Sequence, residues 1–169
     1  MLIPADFRLL PFNFNAIADC GRYISNKAYW RLYSTENLFR IIIHSVLFVQ
    51  ISPDWWIYAV DQKVQKRAYS NYQSYRGKTW FGKVGNHGIY YVYLKDLGEI
   101  MRTNSNLLLP VIPNIYDWIV EIEKIRIARN LVAHMNFLDA NDETDINTFY
   151  IKCKKLIPIV QASVELIIP

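Results

Sequence analysis

Three polar side chains with catalytic potential lie close together near residue 130, namely Arg129, Asn130 and His134. A histidine titrates near neutral pH, so it can remove a proton from a ribose 2′-hydroxyl or deliver one to a 5′-oxygen leaving group. An arginine offers a planar fork of donors to a phosphate as charge builds in the transition state. Asn130 lies one turn before His134 and can orient the imidazole or hydrogen-bond the phosphate. Together these residue types favour phosphoryl transfer on RNA.

The three residues belong to a stretch, 118–134, that has the pattern of an uninterrupted helix without glycine or proline. On a helical projection, one apolar stripe surrounds Arg129 and a second lies on the opposite side. The first stripe consists of Trp118, Ile122, Ile125, Val132 and Ala133, and the second of Val120, Ile127, Leu131 and Leu138. A helix with two apolar faces needs two partners, so we predict that one face meets the core and the other meets more of this chain or a second chain.

Arg129 occupies a position in the first stripe where a packing residue is expected. Burying a guanidinium costs on the order of several kcal/mol unless an anion meets it. That anion can be an internal acid such as Glu36, which would make the arginine structural, or a bound phosphate. Arg129 and His134 lie about 140° apart on an ideal helix, so the arginine must reach around its own helix or meet a partner's histidine. One histidine cannot be base and acid at once, whereas a symmetric dimer brings two.

A second cluster of charged residues lies between Gln62 and Gly88, where six basic residues occur without an acidic one in a chain of net charge +4. These bases are Lys63, Lys66, Arg67, Arg76, Lys78 and Lys83, and they alternate with Tyr69, Tyr72, Tyr75, Trp80 and Phe81. Such a mixture can stack bases and neutralise phosphates of single-stranded RNA. The alternative is a solvated basic helix end whose aromatic rings pack into the core.

The apolar periodicity predicts an all-α bundle of about five helices in one domain, residues 1–169. Residues 1–28 are expected to form an irregular lead-in, and residues 73–88 a basic, glycine-rich loop. The expected helices cover about 29–50, about 55–72, a short segment ending near Thr103, the stretch with Arg129, and a final segment capped by Asn141, Asp142 and Glu143.

Composition limits the class of protein and its location. The hydrophobic content of 52% excludes a disordered chain. No apolar run approaches the roughly 18 residues that span a bilayer. Cys20 and Cys153 have neither metal-like nor redox-like spacing. We therefore expect a cytoplasmic protein with free thiols, no membrane contact, no metal and no cofactor.

The segment from Arg129 to His134 resembles the signature of the HEPN superfamily, which is arginine, a polar residue, three variable positions and histidine near the end of a long helix. Three further segments resemble, in order, landmarks of one branch of that superfamily: Glu36 to Arg40, Trp55 to Trp56, and Tyr91 to Leu97. This branch includes the HEPN domain of a eukaryotic nuclear messenger-RNA surveillance endonuclease and many bacterial stand-alone proteins.

The resemblance implies a helical bundle that dimerises through the motif helix and cleaves RNA without a metal, as a toxin or phage-defence effector. Arg129 and His134 would be catalytic and Asn130 supportive, and an antitoxin or another defence protein would be a partner. In one toxin branch a tyrosine stands two places after the histidine, where this chain has Asn136. Two alternatives stay open: a non-catalytic HEPN module that binds RNA, a nucleotide or a partner protein, and a purely structural bundle.

Overall fold

The computed structural model describes residues 3–76, 78 and 85–169, and within these ranges the chain is helical without a β-strand. The prediction of an all-α fold is therefore confirmed. The α-helices are α1 (Phe14–Ile24), α2 (Trp30–Gln50), α3 (Trp55–Ala59), α4 (Gln62–Tyr75), α5 (Leu94–Thr103), α6 (Ser105–Leu108), α7 (Ile115–Ala133) and α8 (Ala140–Gln161). Short 3-10 turns cover Phe7–Leu9 and Gly88–Tyr91, and a π-helical turn, Ser25–Tyr29, joins α1 to α2.

The N-terminal segment differs from the expected irregular lead-in over residues 1–28. It contains the eleven-residue helix α1. Asn13 caps the N-terminus of this helix, because its side chain accepts a hydrogen bond from the backbone N–H of Asn15 at 2.9 Å. Asparagine is a preferred residue at this capping position. The extra helix raises the number of helical segments above the five predicted.

The helix expected over about 55–72 is two helices, because α3 ends at Ala59 and α4 begins at Gln62. Asp61 causes the break, since its carboxylate accepts a hydrogen bond from the backbone N–H of Lys63 at 2.7 Å and caps α4. Helix α4 then continues to Tyr75, so the first residues of the predicted 73–88 loop are helical. At the other end of that loop, Gly88 begins a 3-10 turn.

Three aromatic rings from distant parts of the chain join the long helices. Phe39 of α2 lies 5.7 Å from Trp118 of α7 and 6.0 Å from Phe149 of α8, measured between ring centroids. Trp118 and Phe149 are 6.1 Å apart. Helix α7 also packs against α5. Burial of large apolar side chains therefore holds the motif helix against the rest of the bundle.

The two predicted apolar stripes of α7 have different surroundings. The inward face buries Ile115, Ile119, Ile122, Ile125, Ala128 and Val132. Ala133, assigned to the first stripe, is exposed because the helix ends there. In the second stripe, Val120 is 69% exposed and Ile127 60% exposed, whereas Leu138 is buried in the core. The outward face thus lacks a partner within the described part of the chain at Val120 and Ile127.

An aromatic cluster next to the 3-10 turn at Gly88 consists of His44, Trp55, Trp56 and His87. Trp55 donates its indole N–H to Nδ1 of His44 at 3.1 Å, and Ile89 donates its backbone N–H to Nδ1 of His87 at 3.2 Å. The two imidazole rings are 4.9 Å apart, and His87 stacks on Trp55. Burial lowers the pKa of His44, and burial followed by the nearby His44 lowers the pKa of His87 to about 4. Both rings are therefore neutral at pH 7.

The lowered histidine pKa values make stability depend on pH. The pKa of His87 is about 4 in the folded protein and has the ordinary value of 6.5 in the unfolded chain. Between these two pH values, His87 binds a proton in the unfolded chain but not in the folded protein. The free energy of unfolding should therefore fall by roughly 1 kcal/mol between pH 7.5 and 5.5, measured by urea denaturation.

His87→Asn provides the matched test, because Oδ1 of asparagine can replace Nδ1 as the acceptor for Ile89 while removing the titration. This variant should flatten the pH dependence of the free energy of unfolding. Equal slopes in His87→Asn and wild type would contradict the assignment.

Cys20 and Cys153 are free and buried, and burial raises the pKa of the Cys153 thiol to about 12. Within the described ranges, none of the helices combines the length and apolar character that crossing a membrane requires.

Candidate functional site

The end of α7 fixes the backbone of the predicted catalytic histidine. His134 is the C-cap residue, and its backbone N–H donates to the carbonyl of Asn130 at 3.0 Å. The next two residues close the helix, because Met135 donates to Val132 at 3.0 Å and Asn136 donates to Leu131 at 2.9 Å. This pair of bonds is the Schellman arrangement. Its left-handed residue is Met135, at φ 57°, where glycine is usual.

The structure brings the three predicted catalytic residues to one opening. The histidine cleft, of about 380 Å³, is lined among others by Tyr93, Lys95, Arg126, Arg129, Asn130 and His134. The imidazole of His134 is exposed, and Asn130 is half-buried. Two further cations, Lys95 and Arg126, border the same opening, although Arg126 also pairs with Glu123 at 2.9 Å. An anion is therefore the ligand that this cleft favours.

A second opening shares Arg129 with the first. The tyrosine cleft, of about 520 Å³, is lined among others by Tyr29, Tyr33, Tyr90, Glu36, Arg40 and Arg129. Because Arg129 and its neighbour Ala133 line both openings, the two clefts meet at the C-terminal end of α7. The Arg129 side chain therefore borders both clefts, one of which also contains His134.

One carboxylate lies between two guanidiniums at the base of the tyrosine cleft. Oε1 of Glu36 accepts from Arg40 at 2.5 Å, and Oε2 accepts from Nε of Arg129 at 3.3 Å. Glu36 is 8% exposed. Two cations share one anion, so the cluster keeps an excess positive charge. The Glu36–Arg129 contact left open by the sequence is thus present.

The two arginines differ in how many donors remain. Arg40 donates to the carbonyls of Ile89 and Val92, at 3.2 and 3.1 Å, and to the amide of Asn37, besides Glu36. Arg129 uses only Nε, and its two terminal nitrogens have no hydrogen-bond partner among the described residues. Its side chain is 26% exposed. Glu36 therefore anchors one edge of the Arg129 guanidinium and leaves the other edge available for an anion such as phosphate.

The predicted RNA-binding residues of the basic segment lie elsewhere. Lys63, Lys66, Arg76 and Lys78 are exposed, and they line neither cleft. Lys83, together with Trp80 and Phe81, lies outside the described residues. Of the remaining aromatics, Tyr69 and Tyr75 are 63% and 44% exposed, whereas Tyr72 is half-buried and contacts Tyr91. Tyr69 and Tyr75 are thus exposed enough to stack bases, whereas Tyr72 packs against the protein.

Arg67 has a structural partner that the sequence did not indicate. Its guanidinium donates to the carboxylate of Asp96 at 2.5 and 3.1 Å and to Glu99 at 3.3 Å. Asp96 is only 2% exposed and also caps α5 through the backbone N–H of Tyr93. Arg67 therefore joins α4 to α5 and stabilises a buried charge, which is a different role from the RNA contact predicted for it.

The aromatic walls of the tyrosine cleft and the role of Arg40 were not predicted as parts of the site. Comparisons of the chain with known protein families, with curated proteins and with solved structures find no match. Among the residues that the structure describes, no three histidine, cysteine, aspartate or glutamate side chains are grouped to hold a metal ion.

Arg67→Ala should lower the free energy of unfolding by about 1–3 kcal/mol, because it leaves the buried Asp96 without its cation. Lys66→Ala, at the exposed neighbouring position, should change it by no more than about 0.5 kcal/mol. Chemical denaturation of wild type and both variants measures these free energies of unfolding. Equal stabilities would show that the Arg67–Asp96 pair contributes nothing measurable.

Met135→Gly should raise the free energy of unfolding by about 0.5–1 kcal/mol, since glycine adopts the left-handed conformation without steric cost. The Met135 side chain is 85% exposed, so its removal loses little packing. Met135→Ala is the matched control, because it shortens the side chain but keeps the strained conformation. Thermal or urea unfolding should show stabilisation by glycine alone, and equal effects of the two substitutions would contradict this reading.

Proposed function

We propose that the protein is a metal-independent endoribonuclease of the HEPN type, in which Arg129, Asn130 and His134 act on the scissile phosphate. The observation that carries the proposal is that Arg129, whose terminal guanidinium nitrogens have no hydrogen-bond partner among the described residues, lines the same cleft as the exposed His134. An arginine held by a carboxylate on one edge is already oriented, so less conformational entropy is lost when phosphate binds the other edge.

The proposed reaction is attack of a ribose 2′-oxygen on the neighbouring phosphorus. The bond from phosphorus to the 5′-oxygen breaks, leaving a 2′,3′-cyclic phosphate and a 5′-hydroxyl. One imidazole removes the 2′-hydroxyl proton, and a second donates a proton to the departing 5′-oxygen. Arg129 stabilises the charge on the phosphate oxygens, and Asn130 hydrogen-bonds the phosphate or the imidazole.

A homodimer would supply the second histidine. The outward stripe of α7 supports this part of the proposal, because Val120 and Ile127 expose apolar side chains on the motif helix itself. An isologous interface along this stripe would place two motif helices side by side. In the cell, such an enzyme would act in the cytoplasm as a toxin or phage-defence effector, controlled by an antitoxin or another defence protein.

The test is cleavage of single-stranded RNA by the purified protein in the presence of EDTA. His134→Ala should lower the rate about 10²–10⁴-fold, and Arg129→Ala about 10²–10³-fold. The exposed Arg102 lines neither cleft, so Arg102→Ala should keep the wild-type rate. Equal rates for wild type and His134→Ala would remove the histidine from the mechanism.

The second candidate function is a non-catalytic HEPN module that binds RNA. The contact between Arg129 and Glu36 favours it, because a paired arginine can bind an anion without taking part in chemistry. This alternative predicts a protein that binds RNA but leaves it intact, with binding weakened by Arg129→Ala and unchanged by His134→Ala.

A further inference from the structure

We infer that the tyrosine cleft binds an unpaired RNA base, next to the phosphate held by Arg129. The inference rests on the proposed function in one respect, that the ligand of Arg129 is an RNA phosphate. It adds a base-binding position beside the proposed reaction centre.

One wall of the cleft consists of two exposed tyrosines. Tyr29 and Tyr33 are four residues apart along the continuous helical segment that leads into α2, so their side chains project from neighbouring turns. They are 59% and 64% exposed. Tyr29 belongs to the π-helical turn, a feature often found at functional sites. Rings of this kind offer a face on which any base can stack.

Tyr90, in the 3-10 turn, forms another part of the cleft lining, and Gly85 allows the backbone to approach its ring closely. A Cβ at position 85 would come within 2.3 Å of that ring, so only glycine allows this approach without displacing the ring. The turn itself is fixed by the bonds from Arg40 to the carbonyls of Ile89 and Val92. The aromatic surface is therefore preorganised.

The polar groups of the cleft favour an anionic ligand and should discriminate only weakly between bases. The Asn37 side chain already donates to the carbonyl of Tyr33 at 2.8 Å and accepts from Arg40 at 3.1 Å. Both oxygens of Glu36 already accept from arginine. Few free groups remain to read base edges, so stacking should dominate over hydrogen bonding. The excess positive charge of the cluster suits a nucleotide.

The position of Arg129 links the two clefts into one path. A phosphate on its free edge has one attached nucleoside towards the tyrosine cleft and the other towards His134, since Arg129 lines both openings. The tyrosine cleft, at about 520 Å³, lies within the roughly 300–1,000 Å³ of small-molecule sites. A base that enters it cannot remain paired, which selects unpaired RNA.

The experiment compares the binding of adenosine 5′-monophosphate and ribose 5-phosphate by isothermal titration calorimetry. We expect the nucleotide to bind about tenfold more tightly, because only it carries a base to stack. Tyr33→Ala should remove this difference and leave ribose 5-phosphate binding unchanged. Tyr58 is 74% exposed and lines neither cleft, so Tyr58→Ala should match wild type.

The outcomes separate this inference from the proposed function. Equal affinities for the two ligands, or equal effects of Tyr33→Ala and Tyr58→Ala, would overturn the base-binding site even if the protein cleaves RNA. Tighter nucleotide binding that depends on Tyr33 would support the site even if the purified wild-type protein cleaved no RNA.

Discussion

The carboxylate of Glu36 is shared by two arginines, and the arrangement of the candidate site depends on this shared contact. Through Arg40 it supports the 3-10 turn at Gly88–Tyr91, which places Tyr90 at the tyrosine cleft. Through Arg129 it joins α2 to the motif helix. A buried ion pair is weak evidence for stability, because desolvation offsets much of its attraction. Its clearest consequence here is geometric, since it orients one guanidinium and leaves that guanidinium's far edge unpaired.

The sequence predicted the long helices well, for a physical reason. Helix α2 was expected over about 29–50 and covers Trp30–Gln50, because its apolar period continues without glycine or proline. The same pattern identified α7. The prediction failed where a local cap competes with apolar periodicity. Asp61 ends one helix and begins another within an apparently continuous pattern, and Asn13 begins α1 in a segment that its prolines and aromatics made look irregular.

The site was predictable only where it is local. Arg129, Asn130 and His134 lie within six residues of one helix, so their grouping follows from the sequence. The sequence left open whether Arg129 meets an acid or a phosphate. The structure shows that it meets the acid Glu36 and still has unpaired donors. A guanidinium has two edges, and Glu36 occupies one. Tyr90 could not be predicted, because its position depends on Arg40 bonds to carbonyls about fifty residues away.

Binding of one phosphate by both the free edge of Arg129 and the imidazole of His134 can be measured directly by NMR. The titrant is a short single-stranded RNA with 2′-O-methyl groups, which cannot be cleaved, added to protein with ¹⁵N-labelled arginine and histidine. If both groups bind the phosphate, the Arg129 and His134 signals should shift together over the same concentration range. Arg40, whose three guanidinium nitrogens all donate within the protein, should respond less. Shifts of Arg76 alone, with Arg129 and His134 unchanged, would place the RNA on the basic segment and rule out joint phosphate binding by Arg129 and His134.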